Sequence, residues 1–382
     1  MILIYAFAAV LTAAAAVMTT VQTVLTLLFR RRGRFFGRVP PVSFPRDGFS
    51  RRRVSILKPV CGIDDDLEAN LESFAALRGV DVEVIVSIAD PADAARPIVE
   101  RVARRHGWKI VIGGDPARER GNRKIARLIA AMPHARGDVI VISDSNVRVE
   151  PDDVARTVAA FGDPRVGCVS NLFTGAGAQS FGASIESLHL LSFVAPGAVI
   201  AAAAGVPCVV GKSMAIRRDV LTAIGGFEAF ANVLAEDQAI GLAVRGAGCD
   251  VVLSPVVVRN VTVRRTLRRA LDRQVRWNKI RYAFSKTTYS AELLLFPLPY
   301  ALVAGLVQPL LPLAVVALRM LQVALLARAT GAPLRLRELA LVPLFDLLHF
   351  GAQFAPYIDD RVTWRGHPMR LGPNTVLLDA AA

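Results

Sequence analysis

The run VIVISDSN, residues 139–146, is four β-branched apolar residues and a serine, followed by Asp144. An unbroken apolar run of this kind predicts a strand buried on both faces, and it delivers Asp144 at the C-terminal end. In open α/β sheets ligands bind beyond those strand ends, which makes Asp144 a candidate ligand-facing carboxylate. Working outward, VSIL (54–57), VEVIVSI (82–88) and KIVI (109–112) predict strands before it, and VGCVS (166–170) one after it. Helical stretches near 65–77, 92–105, 122–132 and 151–161 fall between most of them. Strands and helices in alternation imply an α/β domain with a parallel or mixed sheet covered by helices.

The chain of 382 residues has room for one large or two small soluble domains, but 53% of it is hydrophobic and its mean hydropathy is positive. That exceeds an ordinary globular composition, so part of the surplus belongs in lipid. The net charge of +14 suits nucleic acid, an anionic membrane surface or a phosphorylated substrate. No nucleic-acid motif accompanies it, and the arginines border apolar segments, so the expected partner is the lipid bilayer and no nucleic acid. Cys61, Cys168, Cys208 and Cys249 are too scattered for metal-ligand spacing and suggest a reduced compartment.

Residues 2–29 are uncharged for longer than the ~20 residues that cross a bilayer, so 1–29 is expected to be a transmembrane helix. Arg30, Arg31, Arg32, Arg34 and Arg38 follow the apolar stretch rather than precede it, which excludes a cleaved signal peptide and orients the rest of the chain to the cytoplasm. A basic, proline-bearing linker (30–53) leads to a cytoplasmic catalytic domain (54–287), followed by C-terminal membrane helices (288–356) and a tail (357–382). Two apolar stretches, 291–307 and 310–327, read as short spans forming a hairpin, with Arg319 facing protein or snorkelling. Whether 338–356 crosses is left open by Glu338, Asp346 and His349. Leu188 to Val210 is apolar, but Pro196, Gly197, Gly205 and Pro207 interrupt it, so an interfacial segment is expected.

Between Val233 and Tyr282 the chain pairs two opposite chemistries. Glu236 and Asp237 open an apolar pattern, as acids do at a helix N-terminus. About 40 residues on, Leu267, Leu271 and Val275 predict a buried stripe, with Arg269, Arg273, Arg276 and Trp277 on another face. A cationic face with an indole suits a pyrophosphate ligand. Gly121-Asn122-Arg123-Lys124 is a loop entering a helix, where a cation and free amides can hold phosphate. Gly211-Lys212-Ser213 resembles the end of a phosphate loop, but the earlier glycine that motif needs is Val206.

Taken together, VSILKPVCGIDDDLEANLESF (54–74), NRKI (122–125), SDSNVRV (143–149), the run from Gly205 to Asp237, Arg273 and Arg276-Trp277 as R-x-x-R-W, and WRGHPMRLGPNT (364–375) resemble the inverting, family 2-like GT-A glycosyltransferases, and within them the ceramide glucosyltransferases. These pieces span most of the chain in the family's order. The resemblance implies a GT-A fold: a mixed α/β sheet with helices on both faces, plus N- and C-terminal transmembrane or interfacial helices. It implies transfer of glucose from UDP-glucose to the primary hydroxyl of ceramide, with UDP-N-acetylglucosamine or another UDP-sugar acting on a hopanoid or diacylglycerol as one alternative; on the basic helix alone, a non-catalytic membrane protein that binds anionic lipid is another. Asp237 would be the catalytic base. Lys58, Asp90, Asn122, Lys124, Asp144, Arg273, Arg276 and Trp277 would bind the donor, although Asp93 competes with Asp90 for the first family acid. Asp144 would hold Mg²⁺ or Mn²⁺, with Asn146 standing where many relatives carry a second carboxylate. His189 and Glu236 would border the acceptor, Cys208 the donor pocket, and the glycine-rich segment 171–182 the cleft.

Overall fold

The computed structural model describes residues 2–33, 53–114, 121–364 and 367–378. Most of the basic linker and part of the loop before Asn122 therefore lie outside the described residues. The chain divides into two compact units: one of residues 33–177 and 201–263, the other of residues 1–32, 178–200 and 264–382. The boundary near 264 falls before the basic helix that the sequence reading assigned to the catalytic domain.

The first unit is built on an eight-stranded mixed sheet. Its strands are β1 (Arg53–Val60), β2 (Asp81–Ile88), β3 (Lys109–Ile112), β4 (Val139–Ser143), β5 (Val147–Arg148), β6 (Val166–Ala176), β7 (Ser213–Arg217) and β8 (Asp250–Val261), in the spatial order β3-β2-β1-β4-β7-β6-β8-β5. β1 is parallel to β2 and β4, whereas β7 runs antiparallel to both β4 and β6. Every residue of β4 is buried, as its unbroken apolar run requires. Pro59 does not end β1: the strand continues to Val60, because Pro59 lies beyond the last residue paired with β4 and is matched only by Ser87 of β2. Nor is 171–176 a loop; it completes β6 against β8. The register jumps from Asn171–Ser254 to Leu172–Val257, so a bulge absorbs Pro255. Ile125 and Leu128 of helix Arg123–Ala131, and Ile240 and Val244 of helix Glu236–Gly246, pack with Leu57, Ile140, Ile142 and Met214 of the sheet. This core fixes the N-termini of both helices.

The second unit is helical. Helix Ile2–Arg32 exposes Leu3, Phe7, Val10 and Val17, while Thr12, Thr19, Thr23 and Thr26 are buried and donate to their own i−4 carbonyls. That is the outward face lipid asks for. Leu3–Arg32, Phe181–Ala203 and Leu310–Thr330 are the described helices long and apolar enough to cross a membrane. The second of these corrects the expectation of an interrupted segment. A π turn, Leu190–Val194, lets Ala195 donate to Leu190 five residues back, and Pro196 then starts the next helix where a missing N–H costs little. The stretch 291–307 forms a 3-10 turn, Glu292–Leu295, and the eight-residue helix Pro297–Ala304, because Pro297 holds Phe296 out of the helical region; Leu298 and Ala301 of that helix pack against Val315 of helix Leu310–Thr330. Helix Val342–Ala352 has eleven residues, about 16 Å, which is short of a ~30 Å hydrocarbon core. Arg319 faces protein: its guanidinium donates to both oxygens of Asp346, at 2.8 and 2.9 Å.

In the same unit, helix Leu267–Phe284 turns its polar side inward. Ala270, Arg273, Gln274, Asn278 and Lys279 are buried, whereas Leu267, Leu271 and Val275 are only half-buried, the reverse of the predicted stripe. Partners explain the inversion: Arg273 pairs with the buried Glu186, and Lys279 donates to Asp359 and to the Arg361 carbonyl. The tail forms a small sheet of β9 (Arg361–Trp364), β10 (His367–Leu371) and β11 (Leu377–Leu378).

Candidate active site

In the β4–β7 ladder Ser143 faces Ser213, so the next residue outward on each strand, Asp144 and Lys212, meet at the strand end. The Asp144 amide donates to the Lys212 carbonyl at 3.3 Å. Lys212 Nζ lies 2.9 Å from Asp144 Oδ2 and donates to Asn146 Oδ1 at 3.0 Å. Lys124, at the start of its helix, sets Nζ 3.0 Å from Asp144 Oδ1, 2.8 Å from Glu236 Oε1 and 3.1 Å from the Gly211 carbonyl. One carboxylate is thus shared by two ammoniums. Burial opposes ionisation of Asp144, but Lys124 and Lys212 outweigh it and hold its pKa well below the carboxylate range. Burial likewise opposes the Lys124 charge, and Asp144, Glu236 and Asp237 more than restore it. Behind them Lys58 is fully buried, donates to Ser143 Oγ and the Asp144 carbonyl, and stands 3.7 Å from the Phe74 ring centroid. Burial brings its pKa down to about 7, against the pull of Asp144 and Asp64.

Asn122 and Glu236 hold this arrangement in place. Asn122 Oδ1 caps helix Arg123–Ala131 by accepting from Lys124 N and Ile125 N, and its Nδ2 donates to the Val233 carbonyl and to Glu236 Oε2. Its side-chain amide is fully buried, with oxygen and nitrogen both engaged within the protein. Both Glu236 oxygens are likewise engaged, by Lys124 and Asn122. Asp237 is only half-buried; Oδ2 accepts from Gly211 N at 2.5 Å and Oδ1 from Gln238 N at 2.8 Å. Burial first, and Glu236 second, raise its pKa well above the carboxylate range, to about 6. A half-accessible carboxylate with that pKa is suited to take a proton near neutral pH.

Asp90 and Asp93 have different roles at the end of β2. Asp93 accepts from Gly62 N through both oxygens and from Ala95 N, a structural clamp. Asp90 is exposed and accepts from Ala92 N in a local turn. In the helical unit, the Arg273 guanidinium lies 4.1 Å from the Trp277 ring centroid, and the Trp277 and His189 centroids are 5.9 Å apart. Arg276 reaches the Thr363 carbonyl of the tail at 3.4 Å.

Two residues of the cluster went unrecognised in the sequence. In the sequence Lys212 reads only as part of a phosphate loop, but the antiparallel β4–β7 register places it beside Asp144. Gly211 lets two groups approach its backbone closely: a Cβ there would sit 2.5 Å from Lys124 Nζ and 3.1 Å from Asp237 Oδ2. Among the described residues, no group of three or more His, Cys, Asp or Glu forms a metal cage.

The chain is similar to ceramide glucosyltransferase 1 of Caenorhabditis elegans, 29% identical over 238 residues that cover 60% of this chain and 50% of that protein. Ceramide glucosyltransferase 3 of the same organism is 26% identical with the same coverage. The chain therefore spans about half the length of the curated relatives it matches. A solved structure, the mannosyltransferase PcManGT from Pyrobaculum calidifontis in complex with GDP-Man and Mn2+, superposes with a TM-score of 0.52, covering 91% of this chain and 99% of that one at 20% identity. That likeness concerns the fold and agrees with the expected GT-A sheet. The family model of Glycosyl transferase family 21 matches residues 10–377, and a match of that extent over a chain with this sheet and carboxylate-lysine cluster makes the protein a member of glycosyl transferase family 21.

Proposed function

We propose that the protein is a membrane-bound inverting glycosyltransferase that moves glucose from UDP-glucose to the primary hydroxyl of ceramide. The observation that carries this reading is Asp237, raised to about 6 at the N-terminus of helix Glu236–Gly246 and held by Gly211 next to the Lys124–Asp144–Lys212 cluster. Asp237 takes the hydroxyl proton as the oxygen attacks the anomeric carbon from the face opposite the diphosphate. The new carbon–oxygen bond forms as the bond to the diphosphate breaks, and UDP leaves with its electron pair. Lys124 and Lys212 meet the diphosphate charge. Arg273, Arg276 and Trp277 of R-x-x-R-W are assigned to donor binding on the motif alone. Glu236 keeps Lys124 in place. Asp90 is assigned to the nucleotide, since its carboxylate is exposed at the end of β2.

Lys124 and Lys212 take both oxygens of Asp144, so a divalent cation held there would displace an ammonium. One carboxylate, Asp144, suits a Mg²⁺ or Mn²⁺ ion that arrives with the diphosphate and keeps its water, and the ion would neutralise charge on the leaving group. The relatives' names support ceramide as acceptor. Arg30, Arg31 and Arg32 in the last turn of the first helix support a cytoplasmic catalytic unit, and the three long apolar helices support a multi-pass chain.

The test offers the purified full chain ceramide, diacylglycerol and a hopanoid polyol together, with UDP-glucose, UDP-galactose or UDP-N-acetylglucosamine, and identifies products by mass spectrometry. Glucosylceramide should dominate and should vanish in EDTA and return with Mg²⁺ or Mn²⁺. Exclusive use of the hopanoid or of the N-acetylated donor would overturn the substrate assignment, and full activity in chelator would overturn the metal.

A further inference from the structure

Buried ring nitrogens of two histidines lack partners in the helical unit. His349 is fully buried and His189 nearly so. Among the described residues, both nitrogens of His349 and Nε2 of His189 have no hydrogen-bond partner. The two rings meet edge to face with centroids 4.8 Å apart, so they do not satisfy each other. Their walls are aromatic: Phe193 and Phe296 lie 4.4 and 4.9 Å from His349, Phe345 5.4 Å from it, and Trp277 5.9 Å from His189. One turn after His349 on the same helix face, the buried Gln353 Oε1 is also unpartnered.

A neutral imidazole brings one donor and one acceptor, and burying either without a partner costs stability. Phenylalanine at 349 would fill the same aromatic box without that cost. Asp346, three residues before His349, by contrast has both oxygens on Arg319. Directly after His189 comes the π turn Leu190–Val194, a backbone irregularity that recurs at functional sites. Unpaired donors and acceptors inside aromatic walls fit a small polar group carried on apolar chains.

We propose that His349, together with His189, binds the polar head of the lipid acceptor, the ring nitrogens meeting its hydroxyl and amide groups and the aromatic walls its chains. Gln353 Oε1 supplies a further acceptor for the amide N–H. The proposal rests on the reading of the chain as a lipid glycosyltransferase and adds the residues that select the lipid. His349 is a binding residue here and takes no proton in the reaction.

The test uses the full chain in lipid nanodiscs, with His349→Phe and His349→Gln compared to wild type. Three quantities are read: binding of radiolabelled short-chain ceramide, KM for ceramide against KM for UDP-glucose, and the thermal unfolding temperature without added lipid. His349→Phe should unfold at the wild-type temperature or higher, bind ceramide at least tenfold more weakly and raise its KM equally, with UDP-glucose KM unchanged. His349→Gln should recover part of the binding. Unchanged ceramide binding and KM in His349→Phe would overturn the proposal. So would a lowered unfolding temperature in both variants with ceramide KM unmoved, which would mean that buried water satisfies the rings. Should His349→Phe fail to fold, His349→Gln and His189→Gln carry the same binding comparison. A wild type that binds ceramide but glucosylates no lipid would instead sink the enzymatic reading and leave the site standing.

Discussion

At the end of β4 the charges of half-buried Lys124 and Asp144 and of buried Glu236 are paired within the sheet unit, whereas the buried ring nitrogens of His349 have no partner among the described residues. The first arrangement is electrostatically closed. Its desolvation cost is offset internally, and a diphosphate entering it would compete with Asp144 for two ammoniums already aimed at the strand end. The second arrangement is open, and its cost is offset only when something else arrives. Where polar groups are already paired, substitutions should damage charge balance and turnover; where they are unpaired, removing them should cost little stability.

The sharpest way to break that contrast is Asp237→Asn. An amide keeps the shape but cannot accept the proton, so kcat should fall by ~10²- to 10⁴-fold with donor affinity retained. In the wild type, activity should rise with pH through about 6, because burial and Glu236 lift the pKa to that value and only the ionised carboxylate works as a base. A pH profile of kcat/KM checks this together with UDP-glucose binding. Turnover near the wild-type rate would move the base elsewhere, with Glu236 next in line. Comparable in free energy, but in stability, is Arg319→Met. It strands Asp346 inside the helical unit, and breaking a buried pair typically costs about 3–5 kcal/mol. Thermal unfolding in detergent should drop sharply, and the double variant Arg319→Met with Asp346→Leu should recover most of it. If the double unfolds as early as the single, the pair is not what holds those helices.

Lys212→Met should act more mildly. It removes one of two ammoniums from Asp144, and charge-assisted hydrogen bonds of this kind are worth about 1.5–3 kcal/mol, so donor KM should rise about 10- to 100-fold. Titration with UDP reads it directly. Lys212→Arg should restore part of the affinity, whereas an unchanged KM in Lys212→Met would leave Asp144 to Lys124 alone.

Legibility followed the same division. β4 and Asp144 could be read because an unbroken apolar run needs no partner to declare itself. β7 and β8 could not: β7 is a five-residue strand ending in Arg217, and β8 carries Pro255, which only the bulge against Asn171–Leu172 makes tolerable. Lys212 stayed hidden because its meaning comes from antiparallel register with β4, a long-range fact. The basic helix was misread for a related reason. Periodicity predicts that leucines go inside, but Glu186 and the tail supply partners that draw Arg273 and Lys279 inside instead. His349 and Gln353 gave no signal, since an unsatisfied atom can be recognised only once its neighbours are known.

The smallest expected effect is at Gly211. A methyl there would press Lys124 Nζ at 2.5 Å and approach Asp237 Oδ2 at 3.1 Å. The ammonium is the far end of a flexible chain and can give way, but Asp237 is fastened by Gln238 N and by Gly211 N itself. Gly211→Ala should therefore shift Lys124 off Asp144 and leave the base in place. Overpacking typically costs about 1–3 kcal/mol, and with most of the strain relieved by the lysine, the loss should sit at the low end, about tenfold in donor KM. The acid limb near 6 should persist, because Glu236 and burial still act on Asp237. Kinetics at several pH values separate the two outcomes. If the limb moves down towards the ordinary aspartate value while donor KM stays constant, then Gly211 serves the base and not the lysine, and the division of labour between the two carboxylates would have to be redrawn.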